Sequence, residues 1–84
     1  MRSISRYVNI KSLKRGSWYY MVSNYRYHWL FQSDGSDLLG HNGNCVDPLS
    51  EDYFDSPNSI CNLSDVISIR YATDSEVKKY FPNV

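Results

Sequence analysis

The residues able to do chemistry are few, and their spacing limits what that chemistry can be. Cys45 and Cys61 are the only cysteines and His28 and His41 the only histidines. A zinc site would need all four, because two thiolates alone do not complete a tetrahedral shell, and the paired-knuckle spacing is missing. A Cys45–Cys61 disulfide and a Cys45–His41 nucleophile pair are further uses of these residues. The second lacks a third orienting group and an oxyanion-hole element. Asp34, Asp37 and Asp47 are hard oxygen donors, yet D-G-S-D-L-L does not reproduce a calcium loop and supplies no closing glutamate. Gly35, Gly40 and Gly43 are not followed by a helix pattern, so no phosphate-cradling loop can be built. No metal, no cofactor and no catalytic constellation is therefore expected. The sequence reads as that of a non-enzymatic protein.

Aromatic content is the stronger signal. Two Trp, eight Tyr and three Phe occur in 84 residues. Tyr and Trp offer large, rigid contact area at low entropic cost, and they stack on unpaired bases when flanked by cations. Charge adds direction. Nine Lys and Arg balance nine Asp and Glu, but the halves differ. Residues 1–32 carry six cations (Arg2, Arg6, Lys11, Lys14, Arg15, Arg26) and no acid. Residues 33–69 carry seven acids (Asp34, Asp37, Asp47, Glu51, Asp52, Asp55, Asp65) and no Lys or Arg. The remainder contributes one net positive charge from Arg70, Lys78 and Lys79 against Asp74 and Glu76. Such segregation can produce opposite surfaces that steer charged partners; the alternative is that the two halves neutralise each other across the fold.

The elements that must carry these residues belong to one small domain, 1–84, for which 84 residues is an ordinary size. No apolar run approaches membrane-spanning length. No charged start leads into an apolar stretch, so export is not expected; a cytoplasmic setting with reduced thiols is. Alternation over 17–31 predicts a β-hairpin. A two-residue turn at Ser23-Asn24 would pair Val22 with Tyr25, Tyr20 with Tyr27 and Trp18 with Trp29, and set Gly16 opposite Phe31. Trp18, Tyr20, Tyr27, Trp29 and Phe31 would then form the core face. Tyr19, Met21, Arg26, His28 and Leu30 would form the other.

Tyr7-Val8-Asn9-Ile10 reads as a first strand. Eighteen of the 27 residues at 33–59 are Ser, Asp, Asn, Gly or Pro. A short strand pair, Asp37–Gly40 with Asn44–Val46, is expected there, followed by an irregular excursion over Glu51–Ser59. A strand over Val66–Ala72 leads to Thr73-Asp74-Ser75-Glu76, a capping box that opens a helix over Asp74–Phe81. The fold class is mostly β: a small SH3-like barrel or β-roll of about five strands with one short C-terminal helix.

Three segments carry a resemblance. Ile10-x-Ser12-Leu13-Lys14-x-Gly16-x-Trp18-Tyr19, His28-Trp29-Leu30-Phe31 and Ile69-Arg70-x-Ala72-Thr73-x-x-Glu76 together resemble small proteins of phages and mobile elements of Bacteroidetes-type bacteria. The resemblance covers both ends and none of the acidic middle, 33–62. It implies a phage or mobile-element accessory protein, with no catalytic residues to carry over.

The leading expectation is stoichiometric protein binding, as in an anti-CRISPR-like inhibitor of a host defence protein. The acidic loop Asp47, Glu51, Asp52, Tyr53, Phe54 and Asp55 would address a basic nucleic-acid groove on the host protein. The alternative is an SH3-like nucleic-acid-binding module using Lys14, Arg15, Tyr19, Arg26 and His28. A virion assembly part, which would form homo-oligomers, is a third reading. No membrane partner is expected.

Overall fold

The computed structural model describes residues 13–23, 27–35, 42–57 and 66–84. Among these are five strands and one helix: β1 (Trp18–Ser23), β2 (His28–Gln32), β3 (Cys45–Asp47), β4 (Asp52–Phe54), β5 (Val66–Tyr71) and α1 (Asp74–Tyr80). The strands form a single antiparallel sheet in the order β4-β3-β2-β1-β5. The expected mostly-β class, with about five strands and a short C-terminal helix, is what is found. No described strand joins β4 to β5, so the sheet is open among the described residues. The expected strands at 7–10 and 37–40 lie outside them.

The hairpin forms where alternation puts it, but in a different register. Met21, rather than Trp18, faces Trp29, and Tyr19 faces Phe31. Ser23 N–H donates to Tyr27 C=O at 2.9 Å, leaving three residues between them instead of two. The expected pairs sum to 47 and the observed pairs to 50, an odd shift that turns every β1 side chain to the opposite face relative to β2. Tyr19 and Met21 therefore join Trp29, Phe31, Cys45 and Ile69 in a buried core, with Leu13, Phe54 and Val66 packed against it. Gly16 does not sit opposite Phe31. Its N–H bonds Ser33 C=O at 2.8 Å and its φ of +86° makes the turn into β1.

The other face is covered as well. Trp18, Tyr20, Leu30 and Val46 lie on this side by alternation, and Leu30 and Val46 are fully buried. Helix α1 supplies part of the cover: Phe81, its C-cap, packs on Trp18 at 4.9 Å between ring centroids. The expected capping box is present, with Glu76 N–H donating to the Thr73 hydroxyl and Thr73 N–H donating to Glu76. Acids occupy the helix's first turn and lysines its last, matching the dipole. This helix is seven residues long. No helix among the described residues is long and apolar enough to cross a membrane.

The acidic middle departs most from expectation. Residues 45–54 are not a strand and an excursion but a second hairpin, in which Cys45 faces Phe54, Val46 faces Tyr53 and Asp47 faces Asp52. Val46 also faces Leu30 of β2, which ties this hairpin into the sheet.

Candidate functional site: the acidic hairpin

The β3–β4 turn is built by local chemistry. Pro48 presets its own φ just inside the turn. Asp47 closes it: its carboxylate accepts from Leu49 N–H at 3.0 Å and its carbonyl accepts from Glu51 N–H at 2.7 Å. Asp47 is thus committed to the turn and 7% exposed. Glu51 ends the turn at φ +62°, among the described residues the one non-glycine in left-handed backbone. At the base, Gly43 N–H donates to Asp55 C=O at 3.2 Å.

Helix α1 clamps the same hairpin from above. The Tyr53 hydroxyl donates to Tyr80 C=O at 2.8 Å, satisfying one of the carbonyls a helix leaves open at its end. The Tyr53 and Phe81 rings meet edge-on at 5.5 Å and 86°. Tyr80 returns a longer hydroxyl contact, 3.4 Å, to Pro48 C=O. Phe54 points the other way and packs edge-on against Trp29 at 5.3 Å.

Six residues were read from sequence as a binding loop, and the structure divides them. Asp47 and Phe54 are inward and structural. Glu51, Asp52, Tyr53 and Asp55 are exposed together. Sequence reasoning missed Leu49, at the tip and 65% exposed, although its place after Asp-Pro marks a turn apex. It also missed that Tyr53 holds the helix end. None of Glu51, Asp52 and Asp55 has an ion-pair partner among the described residues. No Lys or Arg occurs between residues 33 and 69.

The basic face is not brought together in the same way. Tyr19, assigned there from sequence, is 1% exposed; it lies in the core, stacked on Tyr71 at 5.1 Å, with its hydroxyl accepting from Lys14 N–H. The odd shift of register is the reason. Lys14 and Arg15 are exposed beside the end of β2, whereas His28 stands at the start of that strand, on the opposite face from Tyr19. Arg26 lies outside the described residues. His28 and Cys45, two of the four donors considered for zinc, are on opposite faces of the sheet. Among the described residues no group of three potential donors could hold a metal.

A second cluster emerges on the helix side of the sheet. The Tyr20 hydroxyl lies 2.6 Å from His28 Nδ1. The Arg70 guanidinium sits over the Tyr20 ring, 4.5 Å from its centroid. It also grips Glu76 with two hydrogen bonds of 3.0 and 2.8 Å. Those bonds hold the Glu76 carboxyl below its usual range, against the opposing effect of burial, with Thr73 N–H assisting. Burial pushes the Tyr20 phenol up, and the nearby Glu76 charge adds to this. Arg70 and Glu76 satisfy one another, so the cluster's work is to fix α1 to the sheet. A cleft of about 300 Å³ opens among Trp18, Tyr71, Asp74, Val77 and Lys78 and shares no residue with the acidic hairpin.

No family model matches the chain, and no curated protein or solved structure matches it either.

Proposed function

We propose that this chain is a non-enzymatic binding protein that occludes a protein partner stoichiometrically through the β3–β4 hairpin. The observation that carries the reading is the composition of the exposed side of that hairpin. Leu49 at the tip and Tyr53 in β4, 65% and 56% exposed, occur with the exposed acids Glu51, Asp52 and, at the base, Asp55. Apolar anchors ringed by one sign of charge are how a small surface combines affinity with electrostatic selection. The partner surface is basic, of the kind that binds nucleic acid. The role proposed with it, inhibition of a host defence protein in a bacterial cytoplasm, is what the resemblance read from the sequence implies. Closure into an SH3-like barrel is not needed for this role.

The test is capture from nuclease-treated lysate of a plausible host. The wild-type chain retains a protein partner, and the triple variant Glu51→Lys/Asp52→Lys/Asp55→Lys, checked for folding, loses it. Retention of the same partner by the triple variant, or capture that disappears with nuclease treatment, contradicts the reading.

A further inference from the structure

At the base of the β3–β4 hairpin we infer a modification site: Asn42 deamidates to aspartate and isoaspartate, and the folded hairpin base holds that reaction back. Asn42-Gly43 is the only Asn-Gly pair in the sequence. In deamidation the backbone nitrogen of the following residue gives its proton to hydroxide and forms a bond to the asparagine Cγ. The Cγ–Nδ2 bond breaks, and ammonia leaves after taking a proton from water, which restores the hydroxide. Water then opens the cyclic imide at either carbonyl, leaving aspartate or a backbone lengthened by one carbon. A glycine nitrogen is the least hindered for this attack. The fold demands glycine here, because residue 43 has a φ of +80°.

Both reacting groups are tied down in the structure. Gly43 N–H donates to Asp55 C=O at 3.2 Å, so the nucleophile is occupied. A Cβ on Gly43 would lie 3.8 Å from Asp55 Oδ1. A carboxylate therefore stands beside the nitrogen and opposes the negative charge it must acquire. Asn42 Oδ1 accepts from Asn44 N–H at 3.1 Å, and its Nδ2 donates to Gln32 Oε1 at 3.2 Å. The Asn44 bond alone would polarise Cγ for attack. Protection thus resides in the Gly43 bond, the Asp55 charge and the Gln32 anchor. Gln32 Oε1 also accepts from Asn44 Nδ2 at 2.8 Å, and Gln32 Nε2 donates to Gly16 C=O at 3.2 Å. A carboxylate at 42 has no N–H for Gln32 Oε1. Turning the Gln32 amide round to meet it forfeits the bonds to Asn44 and Gly16. Deamidation therefore adds a negative charge to the hairpin base and loosens its tie to β2.

The experiment follows residue 42 of the full chain by peptide mapping and mass spectrometry, in mildly alkaline buffer with and without denaturing guanidinium. Asn42 converts in the unfolded chain, and at least about tenfold more slowly in the folded protein, as expected when reaction needs a local opening. Gln32→Leu, checked for a cooperative thermal transition, converts faster than folded wild type, whereas Gln32→Glu, which keeps the acceptor oxygens, stays slow. Asp55→Asn, which removes the charge and leaves the backbone bond, also converts faster. Absence of conversion at 42 in the unfolded chain overturns the site. Equal rates in the folded and unfolded chain overturn the protection. Folded Gln32→Leu and Asp55→Asn proteins that both keep the wild-type rate overturn its assignment to these side chains.

Discussion

Glu51 is the residue where stability and function part company most clearly. A left-handed φ of +62° disfavours a side chain with a Cβ, and Gly or Asn would fit the turn better. Glu51→Gly is expected to raise stability by about 1 kcal/mol, read from urea denaturation. The same change is expected to weaken partner binding, because it removes one of the exposed carboxylates. A variant both less stable and equally tight in binding would contradict this account of the turn. Glu76 makes the converse case of a charge kept for structure. Its folded carboxyl is held down by Arg70, so the folded state takes up its proton at lower pH than the unfolded chain does. The stability it contributes is complete above the unfolded carboxylate range and is lost as pH falls from about 4.5 through the depressed folded value. Denaturation midpoints at about pH 6 and about pH 3 should differ less in Glu76→Gln than in wild type. At the other end of the capping box, Thr73→Ala should cost about 1 kcal/mol.

At the scale of elements, the hairpin register is the feature most open to direct challenge. Met21 is fully buried opposite Trp29, whereas Val22, beside it, lies half-buried on the helix side. Met21→Lys would bury an unpaired charge and should abolish folding in a domain whose total stability is about 5–15 kcal/mol. Val22→Lys should leave a cooperative thermal transition, since a long side chain there can reach water. The reverse result would restore the face assignment read from sequence. That assignment failed for a physical reason. Both sides of 18–22 are apolar or aromatic, so alternation locates the strand without saying which side is in. The parity of the connection decides, and one extra residue reverses it. The C-terminal helix was legible because Thr73 and Glu76 form a motif whose spacing has one geometric meaning. β4 was not: three residues beginning with Asp carry too little β-forming signal, and its existence depends on pairing with β3. In the candidate site, charge and aromatic content were readable. The inward turn of Asp47 and Phe54 was not, because a carboxylate that closes a turn looks like any other in sequence.

For the molecule as a whole, the balance of nine positive and nine negative charges conceals one hairpin whose charged residues, Asp47, Glu51, Asp52 and Asp55, are all acids. The strand register sets the hairpin tip, residues 48–51, beyond the His28 end of the sheet, and Lys14 and Arg15 near the Gln32 end. Glu51 and Asp52 therefore stand apart from Lys14 and Arg15, whereas Asp55 lies at the hairpin base, toward the Gln32 end. Binding through the acidic hairpin should weaken as salt rises, with the larger effect on association rate. The most direct measurement is calorimetric titration of the captured partner with three folded proteins: wild type, Glu51→Lys/Asp52→Lys/Asp55→Lys, and Lys14→Glu/Arg15→Glu. The account predicts that reversing the acids weakens binding by about a hundredfold, since like charges then face each other, while reversing Lys14 and Arg15 leaves it nearly unchanged. Loss of binding in the Lys14/Arg15 variant, with the acid-reversed protein binding as tightly as wild type, would contradict it.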